Sequence, residues 1–490
     1  MTILKRLGIV ALIVCVYASC TPAALANIPY DNYNYSTKNA TVLPGPAAVL
    51  PVRELYGQEL GVGEFSSPAD IFAAPDGLIY IADSGNNRIV VLDKDYETVR
   101  IIDSVDDGGV ISYLKGPNGV YASEGGDVYI ADTQNQRVIR VSPDGKLLQT
   151  FTRPIADFLD EKFIFNPIRV ASDNAGRVYV IGRGTVYGVM QYRADGTFSG
   201  FIGANRVRPS LWDLFWKSIA SREQTDFLQS GLVPIDFTSL AIDKNGFLYT
   251  TTYGSERSYV KRLNAQGIDV IRNTSMTELV GDYGDIWASS GISGSSIFVD
   301  VCLGENGRFI CLDRVRGRVF TYDKDCNLLY VFGGRGDRTG LFLDPSGITL
   351  AGDCFLVADR TKGTVTVFEL TEYAKRINQA LDFHSEGKYE EATAEWLWLL
   401  GQNCNLELAH IGVGKALLQQ GDYKGAMEEF RLGNHKSYYS RAFKSYRKEV
   451  IRQNYGVFIG IVAALAAVVA IYINRGKAIK ALIRRRKLWN

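Results

Sequence analysis

Gly77–Leu92, GLIYIADSGNNRIVVL, is the stretch whose reading decides the fold. Leu78, Tyr80 and Ala82 alternate with Ile79 and Ile81, and apolar residues resume at Ile89. That alternation predicts two short buried strands. The loop between them, Asp83-Ser84-Gly85-Asn86-Asn87-Arg88, is built from residues that close turns through their side chains or tolerate positive φ. One such hairpin cannot bury both of its faces, so its recurrence matters.

The stretch comes back along the chain. Asp127–Val141, DVYIADTQNQRVIRV, places Asp132 and Arg137 at the spacing of Asp83 and Arg88. Arg177–Tyr192 carries Gly182 at the Asp position, and Gly246–Leu263 carries Thr252 there. Arg308–Tyr322 restores Asp313 and Arg318, and Cys354–Phe368 has Asp359 followed by Thr364 in place of Arg. The steps are 49, 50, 70, 61 and 46 residues. A period of about 50, lengthened twice by insertions, predicts a propeller or solenoid array. Each copy is preceded by a further strand and turn, as in Asp70–Ala73 before Pro75-Asp76-Gly77. Five copies are followed by a hairpin turn and a fourth strand, so each repeat reads as a four-stranded blade. The sixth copy lacks its fourth strand. Ala48–Gly57, AVLPVRELYG, stands before Gly63-Glu64-Phe65 and Pro68 as Leu329–Gly333 stands before Gly340-Leu341-Phe342 and Pro345. The N-terminal segment is therefore expected to complete the last blade and close the ring, removing exposed edges.

The pattern Tyr-Ile-Ala-Asp-(Ser/Thr)-x-Asn-x-Arg-(Ile/Val), read at Tyr80–Ile89 and Tyr129–Val138, resembles the NHL repeat. The resemblance extends over residues 48–370. It implies a six-bladed β-propeller of mainly β class, used mostly for binding, with enzymatic exceptions.

Residues 1–26 read as a signal peptide. Lys5 and Arg6 precede the apolar run Leu7–Tyr17, and Ala24-Leu25-Ala26 offers a cleavage site; lipid attachment at Cys20 is the alternative processing. Residues 27–47 are polar with Pro and Gly, expected as a flexible lead-in. From Glu372 the apolar period becomes helical. Gly387-Lys388-Tyr389-Glu390-Glu391-Ala392 and Gly421-Asp422-Tyr423-Lys424-Gly425-Ala426 stand 34 residues apart, each followed at the same step by Trp396 or Phe430. This spacing resembles tetratricopeptide (TPR) repeats over residues 371–455, with Lys436–Gln453 as a capping helix. The resemblance implies a groove for a protein partner. Residues 456–473 carry no charge and, as a helix, span about 27 Å, near the hydrocarbon thickness of a bilayer. Tyr455 and Tyr472 stand at its edges. The tail, residues 474–490, has seven basic and no acidic residues, which suits the cytoplasmic side. Gly456, Gly460 and Ala464 have small-xxx-small spacing, which allows a homodimer through the span.

The net charge of +1 hides an asymmetry. Without Lys5, Arg6 and the seven cations after Asn474, 45 basic residues face 53 acidic ones, which argues against nucleic acid as a partner. Five cysteines follow the leader, at 302, 311, 326, 354 and 404; their spacing leaves buried thiols and bridges both open. Histidine occurs only at 384, 410 and 435, all in the helical part. An imidazole-held zinc or copper site, or a Ser/His or Cys/His nucleophile, is thus excluded from the propeller. No cofactor is expected on the main reading. Lactonase-like propellers hold calcium with carboxylates and amides, and Asp83, Asp132, Asp313 and Asp359 are of the right type. They occupy the repeat position, however, where closing the loop and pairing with the following Arg explains them. Arg88, Arg137 and Arg318 read as inter-blade ties or as part of a basic ring for an anion.

The departures from the repeat carry the remaining candidates. Between blades three and four, 204–232 brings Trp212, Phe215 and Trp216. Between blades four and five, 273–296 brings Tyr283 and Trp287. Both insertions join an outer strand to the next inner strand, on the face of the Asp83–Arg88 loop. There exposed aromatics can grip a peptide or stack on a sugar. The sequence thus reads as a single-pass protein of a bacterial plasma membrane, N-terminus outside and C-terminus cytoplasmic. It binds or scaffolds protein or glycan partners in an envelope or uptake assembly. The rival is a divalent-metal lactonase- or lyase-like enzyme.

Overall fold

The computed structural model describes residues 28–38, 41–156, 159, 163–185, 187–203, 236–253, 260–271, 281–282 and 295–486. The chain divides into two compact units, Met1–Tyr35 with Ala40–Asn378, and Ser36–Asn39 with Gln379–Asn490.

The first unit opens with a small hairpin, β1 (Tyr33–Tyr35) and β2 (Val42–Pro44), followed by β3 (Val49–Tyr56). Blade one is β4 (Pro68–Ala73), β5 (Ile79–Asp83), β6 (Arg88–Leu92) and β7 (Thr98–Ile102). A second hairpin follows, β8 (Ser104–Asp107) and β9 (Val110–Tyr113). Blade two is β10 (Pro117–Ala122), β11 (Val128–Asp132), β12 (Arg137–Val141) and β13 (Leu147–Phe151). Blade three is β14 (Pro167–Ser172), β15 (Val178–Gly182), β16 (Val189–Tyr192) and β17 (Phe198–Ile202). Blade four is β18 (Asp236–Ile242), β19 (Leu248–Tyr253) and β20 (Val260–Leu263). Blade five is β21 (Phe298–Leu303), β22 (Phe309–Asp313), β23 (Arg318–Tyr322) and β24 (Leu328–Gly333). Blade six is β25 (Pro345–Ala351), β26 (Cys354–Asp359) and β27 (Thr364–Leu370), completed by β3.

The fold is therefore a six-bladed β-propeller closed by its N-terminal strand. β27 pairs β3 antiparallel from Thr364↔Tyr56 to Leu370↔Val49, so neither strand is left as an edge. The second strands of blades one, two, three and five are buried at every residue. They lie between neighbouring sheets, which is why they read as continuous apolar runs. The core is a series of inter-blade layers, such as Tyr80, Val91, Val120 and Ile139 between blades one and two. The first strands of successive blades touch around the ring and line its axis.

Three details depart from the sequence reading. The lead-in carries β1 and β2, and Tyr33 is buried because its hydroxyl reaches Asp282. The hairpin β8–β9 was not anticipated, since its residues match no part of the repeat; Val110, Ile111 and Tyr113 on it are exposed. In blade four the expected fourth strand appears, among the described residues, only as one bridge, Leu263↔Asp269. Cys302, Cys311, Cys326, Cys354 and Cys404 are free thiols.

The second unit is helical. α1 (Glu372–Ser385) enters it, followed by α2 (Tyr389–Gln402), α3 (Glu407–Gln420), α4 (Tyr423–Leu432) and α5 (Lys436–Gln453). Trp396 and Phe430, the two aromatics of the 34-residue spacing, are buried. The Asp422 carboxylate caps α4 by accepting from Gly425 N–H. The Glu407 carboxylate accepts from Ser36 Oγ, from Thr37 N–H and Oγ1, and from Asn434 Nδ2. The last helix, α6 (Tyr455–Arg486), runs beyond the uncharged stretch into the basic tail. By length and composition alone its residues Tyr455–Lys480 suffice to cross a membrane, and they are unburied.

Candidate functional site

The polar loops of the repeat are consumed in holding the blades. In blade one Asp83 is fully buried. Its Oδ1 accepts Ser66 N–H (2.7 Å), and its Oδ2 accepts Asn86 Nδ2 and Arg88 Nε (both 2.8 Å). Arg88 also donates to the carbonyl of Val62 (2.7 Å). The hairpin is thereby tied to the connection arriving from blade six. Blade two repeats the arrangement: Asp132 accepts from Lys115 N–H, Asn135 and Arg137, and Asn135 reaches the carbonyl of Tyr113. Asn87 and Gln136 close the two loops with φ of 57° and 53°. Arg88 and Arg137 thus stand at the mouth face, each paired with a buried carboxylate.

Blades five and six keep the aspartates and change their partners. Asp313 accepts from Ile297 N–H, Val315 N–H and Ser296 Oγ, and burial pushes its carboxyl up to about 6 against those donors. Arg318 does not pair with it. Its guanidinium binds Asp282 and the Tyr33 hydroxyl, and Asp282 also accepts from the Tyr33 and Tyr35 hydroxyls (2.5 and 2.6 Å). Asp282 comes from the insertion between blades four and five, so it could be matched to Arg318 only once the chain was folded. Asp359 accepts from Leu343, Thr361 and Lys362 N–H groups.

Two sets of residues escaped the sequence reading. The first lies on the axis. In every inner strand the register slips near its start, after the first residue or, in blade four, after the second, and the residues that follow the slip are Asp70, Gly119, Arg169, Ser239, Asp300 and Gly347. Arg169, from blade three, lies with Nε 3.7 Å from Asp70 Oδ1 in blade one and 3.7 Å from Asp300 Oδ1 in blade five. Its Nη atoms donate to the carbonyls of Asn118 in blade two and Ser346 in blade six. Asp70 accepts Val120 N–H, and Asp300 accepts Ile348 N–H and the Ser239 hydroxyl. The network touches all six blades. Glycine is required beside it: a Cβ on Gly119 would stand 2.6 Å from the carbonyl oxygen of Ile168, and one on Gly347 3.0 Å from Asp70 Cα. Burial pushes Asp70 up to about 7; Arg169 opposes the shift and Asp300 reinforces it. Asp300 is also raised by burial, with Arg169 opposing. Burial disfavours the Arg169 charge, yet the two carboxylates outweigh it and raise its pKa.

The second set rims the channel mouth. The residue after the Asp position is Ser84, Thr133, Arg183, Tyr253, Arg314 and Arg360 in blades one to six. Ser84 and Thr133 bond to the neighbouring blades through the carbonyls of Pro117 and Pro167. The arginines of blades three, five and six point charge at the same face. Arg314 grips Asp344 with two contacts (2.6 and 3.2 Å), and Arg360 lies 3.7 Å from it. The sequence signal was present in both sets, as charge two residues after an inner-strand Pro or Phe, or directly after the repeat Asp position. Trp212, Phe215, Trp216, Tyr283 and Trp287 lie outside the described residues. Among the described residues no group of three or more His, Cys, Asp or Glu side chains is placed to hold a metal.

Residues 65–92, most of blade one, match the family model of the NHL repeat. No curated protein matches the sequence. Among solved structures the chain is similar to the virginiamycin B lyase of Staphylococcus aureus, with 10% identity and a TM-score of 0.41 over 65% of this chain and 99% of that one. A putative gluconolactonase gives 15% identity and a TM-score of 0.40 over 69% and 98%. The PQQ-bound aldose sugar dehydrogenase of Streptomyces coelicolor gives 13% and 0.41 over 67% and 99%. By its own sheets and the match in its first blade, the chain is a six-bladed β-propeller that carries an NHL repeat and is followed by a helical region.

Proposed function

We propose that the protein is a membrane-anchored, extracytoplasmic binding and scaffold protein. Its mouth face contacts a protein or glycan partner, and its TPR-like helices contact a second protein. The observation that carries this reading is the axial network. Arg169 stands between Asp70 and Asp300, where a divalent cation would need open carboxylates, so the axis is filled by its own ion group. What remains for recognition is the rim, supported by a rigid closed ring. The leader, the apolar run of α6 and the basic tail support a bacterial plasma-membrane anchor with the C-terminus inside. The Gly456, Gly460 and Ala464 face supports pairing of two spans.

The enzyme reading is favoured by the same two carboxylates, Asp70 and Asp300, on the axis. One experiment separates the two. The full-length chain in detergent is titrated with calcium and zinc, while photo-crosslinkers at mouth-face positions are used to capture partners in intact cells. Specific adducts without metal binding are expected. A metal stoichiometry near one that vanishes in Asp70→Asn and Asp300→Asn would overturn the scaffold reading. Protease added outside intact cells should release the propeller; protection of the whole chain would refute the topology.

A further inference from the structure

We infer that Arg183, Arg314 and Arg360 form a binding site at the channel mouth for an oxyanion group, a carboxylate or a phosphate, carried by the ligand. The inference rests on the reading of the mouth face as the binding surface and names the chemistry that surface selects.

The three residues share one position of the repeat. Their backbone N–H groups are fixed alike, to the carbonyls of Asn166 (2.8 Å), Ile297 (3.0 Å) and Asp344 (2.9 Å), each just before an inner strand. The fold therefore delivers three guanidinium-bearing side chains to one ring level. They occupy the arc of blades three to six; blades one and two carry hydroxyls already bonded to neighbouring backbone. The balance of charge is uneven. Asp344 is the carboxylate that Arg314 and Arg360 share, and Arg314 holds it in a two-pronged grip. Arg183 is exposed, and its guanidinium has no hydrogen bond or ion pair among the described residues. Asp236, at the start of the blade-four inner strand, accepts from Gly184 N–H beside Arg183 and adds a second carboxylate, so among the described residues three guanidinium groups face two carboxylates and the arc stays positive. Below it, Arg169 is already matched by Asp70 and Asp300 and contributes no spare carboxylate.

The arginines also act on one another. Burial lowers the pKa of Arg360; Asp344 opposes this, and the charges of Arg169, Arg314 and Arg183 add to it. Like charges gathered on a rigid frame repel until an anion joins them. The guanidinium fork matches the paired oxygens of carboxylate and phosphate, as the Arg314–Asp344 contact already displays.

The test uses the full-length chain in neutral detergent, titrated by calorimetry and thermal melting with sodium phosphate and with sodium succinate, against sodium chloride at equal ionic strength. At least one of the two anions is expected to bind saturably and raise the melting midpoint. Phosphate alone indicates a phosphate-bearing ligand, succinate alone a carboxylate-bearing one. Arg183→Gln and Arg360→Gln are each expected to weaken that binding about tenfold or more, the scale of a charged hydrogen bond. Arg193→Gln, in the turn after β16 at the opposite face, is expected to leave it unchanged. The inference is overturned if neither anion exceeds chloride, or if the Arg183 and Arg360 variants titrate like the parent. Crosslinked partners at the mouth alongside such a result would leave the binding-surface reading standing without the oxyanion.

Discussion

At the scale of single residues, the aspartates of this protein do two kinds of work. Asp83 is a loop closer whose carboxylate answers a backbone N–H, an amide and a guanidinium at once. Replacing it by Ala removes one side of a buried pair and orphans those donors. Asp83→Ala is expected to cost about 3 kcal/mol in urea unfolding; a loss under about 1 kcal/mol would show the tie to be no stronger than a surface ion pair. Asp70 works differently. Burial raises its pKa to about 7, above the usual carboxylate value of about 4. Between those values the folded state holds more protons than the unfolded chain. Stability must therefore fall as pH rises through that window, and the contribution is complete only below it. Asp313, raised to about 6, acts with the same sign. Asp70→Asn is expected to flatten the decline in denaturation midpoint between about pH 4 and pH 7; an unchanged slope would refute the role given to this carboxyl.

At the scale of elements, β3 matters beyond its length. It lies some three hundred residues from its partner β27, yet supplies the last strand of the last blade. Lys362 and Glu54 add an ion pair across that seam, with both side chains nearly buried. Deleting residues 28–56 is expected to expose β27 as an open edge and drive the propeller into aggregates, read by size-exclusion chromatography. A monomeric product of normal melting temperature would show the ring to be stable without its closing strand. This seam was legible in the sequence because Ala48–Gly57 stands before its turn as Leu329–Gly333 does before its own. The hairpins β1–β2 and β8–β9 were not legible. Each is a local pair of three or four residues per strand, too short to set a period, and β1 is fixed by tyrosine hydroxyls on Asp282.

At the scale of the whole molecule, the axial network couples all six blades. Arg169→Leu would leave Asp70 and Asp300 facing each other without a cation, in a place water reaches poorly. It is expected to destabilise the propeller by about 3–5 kcal/mol and to break its unfolding into more than one transition. A single transition with a small shift would mean that the ring is held by its inter-blade cores and its seam alone. The mouth arginines belong to this scale too, since only closure of the ring sets blades three, five and six around one opening.

The repeat and its hydrophobic alternation were enough to fix the number of blades, the strands in most of them and the strand that closes the ring, because these depend on neighbours within about ten residues and on a period. They also marked the helical region and its apolar last helix. Only the tertiary structure decided what meets across the axis and at the mouth. Asp70, Arg169 and Asp300 lie about a hundred residues or more apart, and no local pattern relates an aspartate on one strand to an arginine two blades away. Charges in a closed ring find their partners by geometry, after the chain has returned to its own beginning.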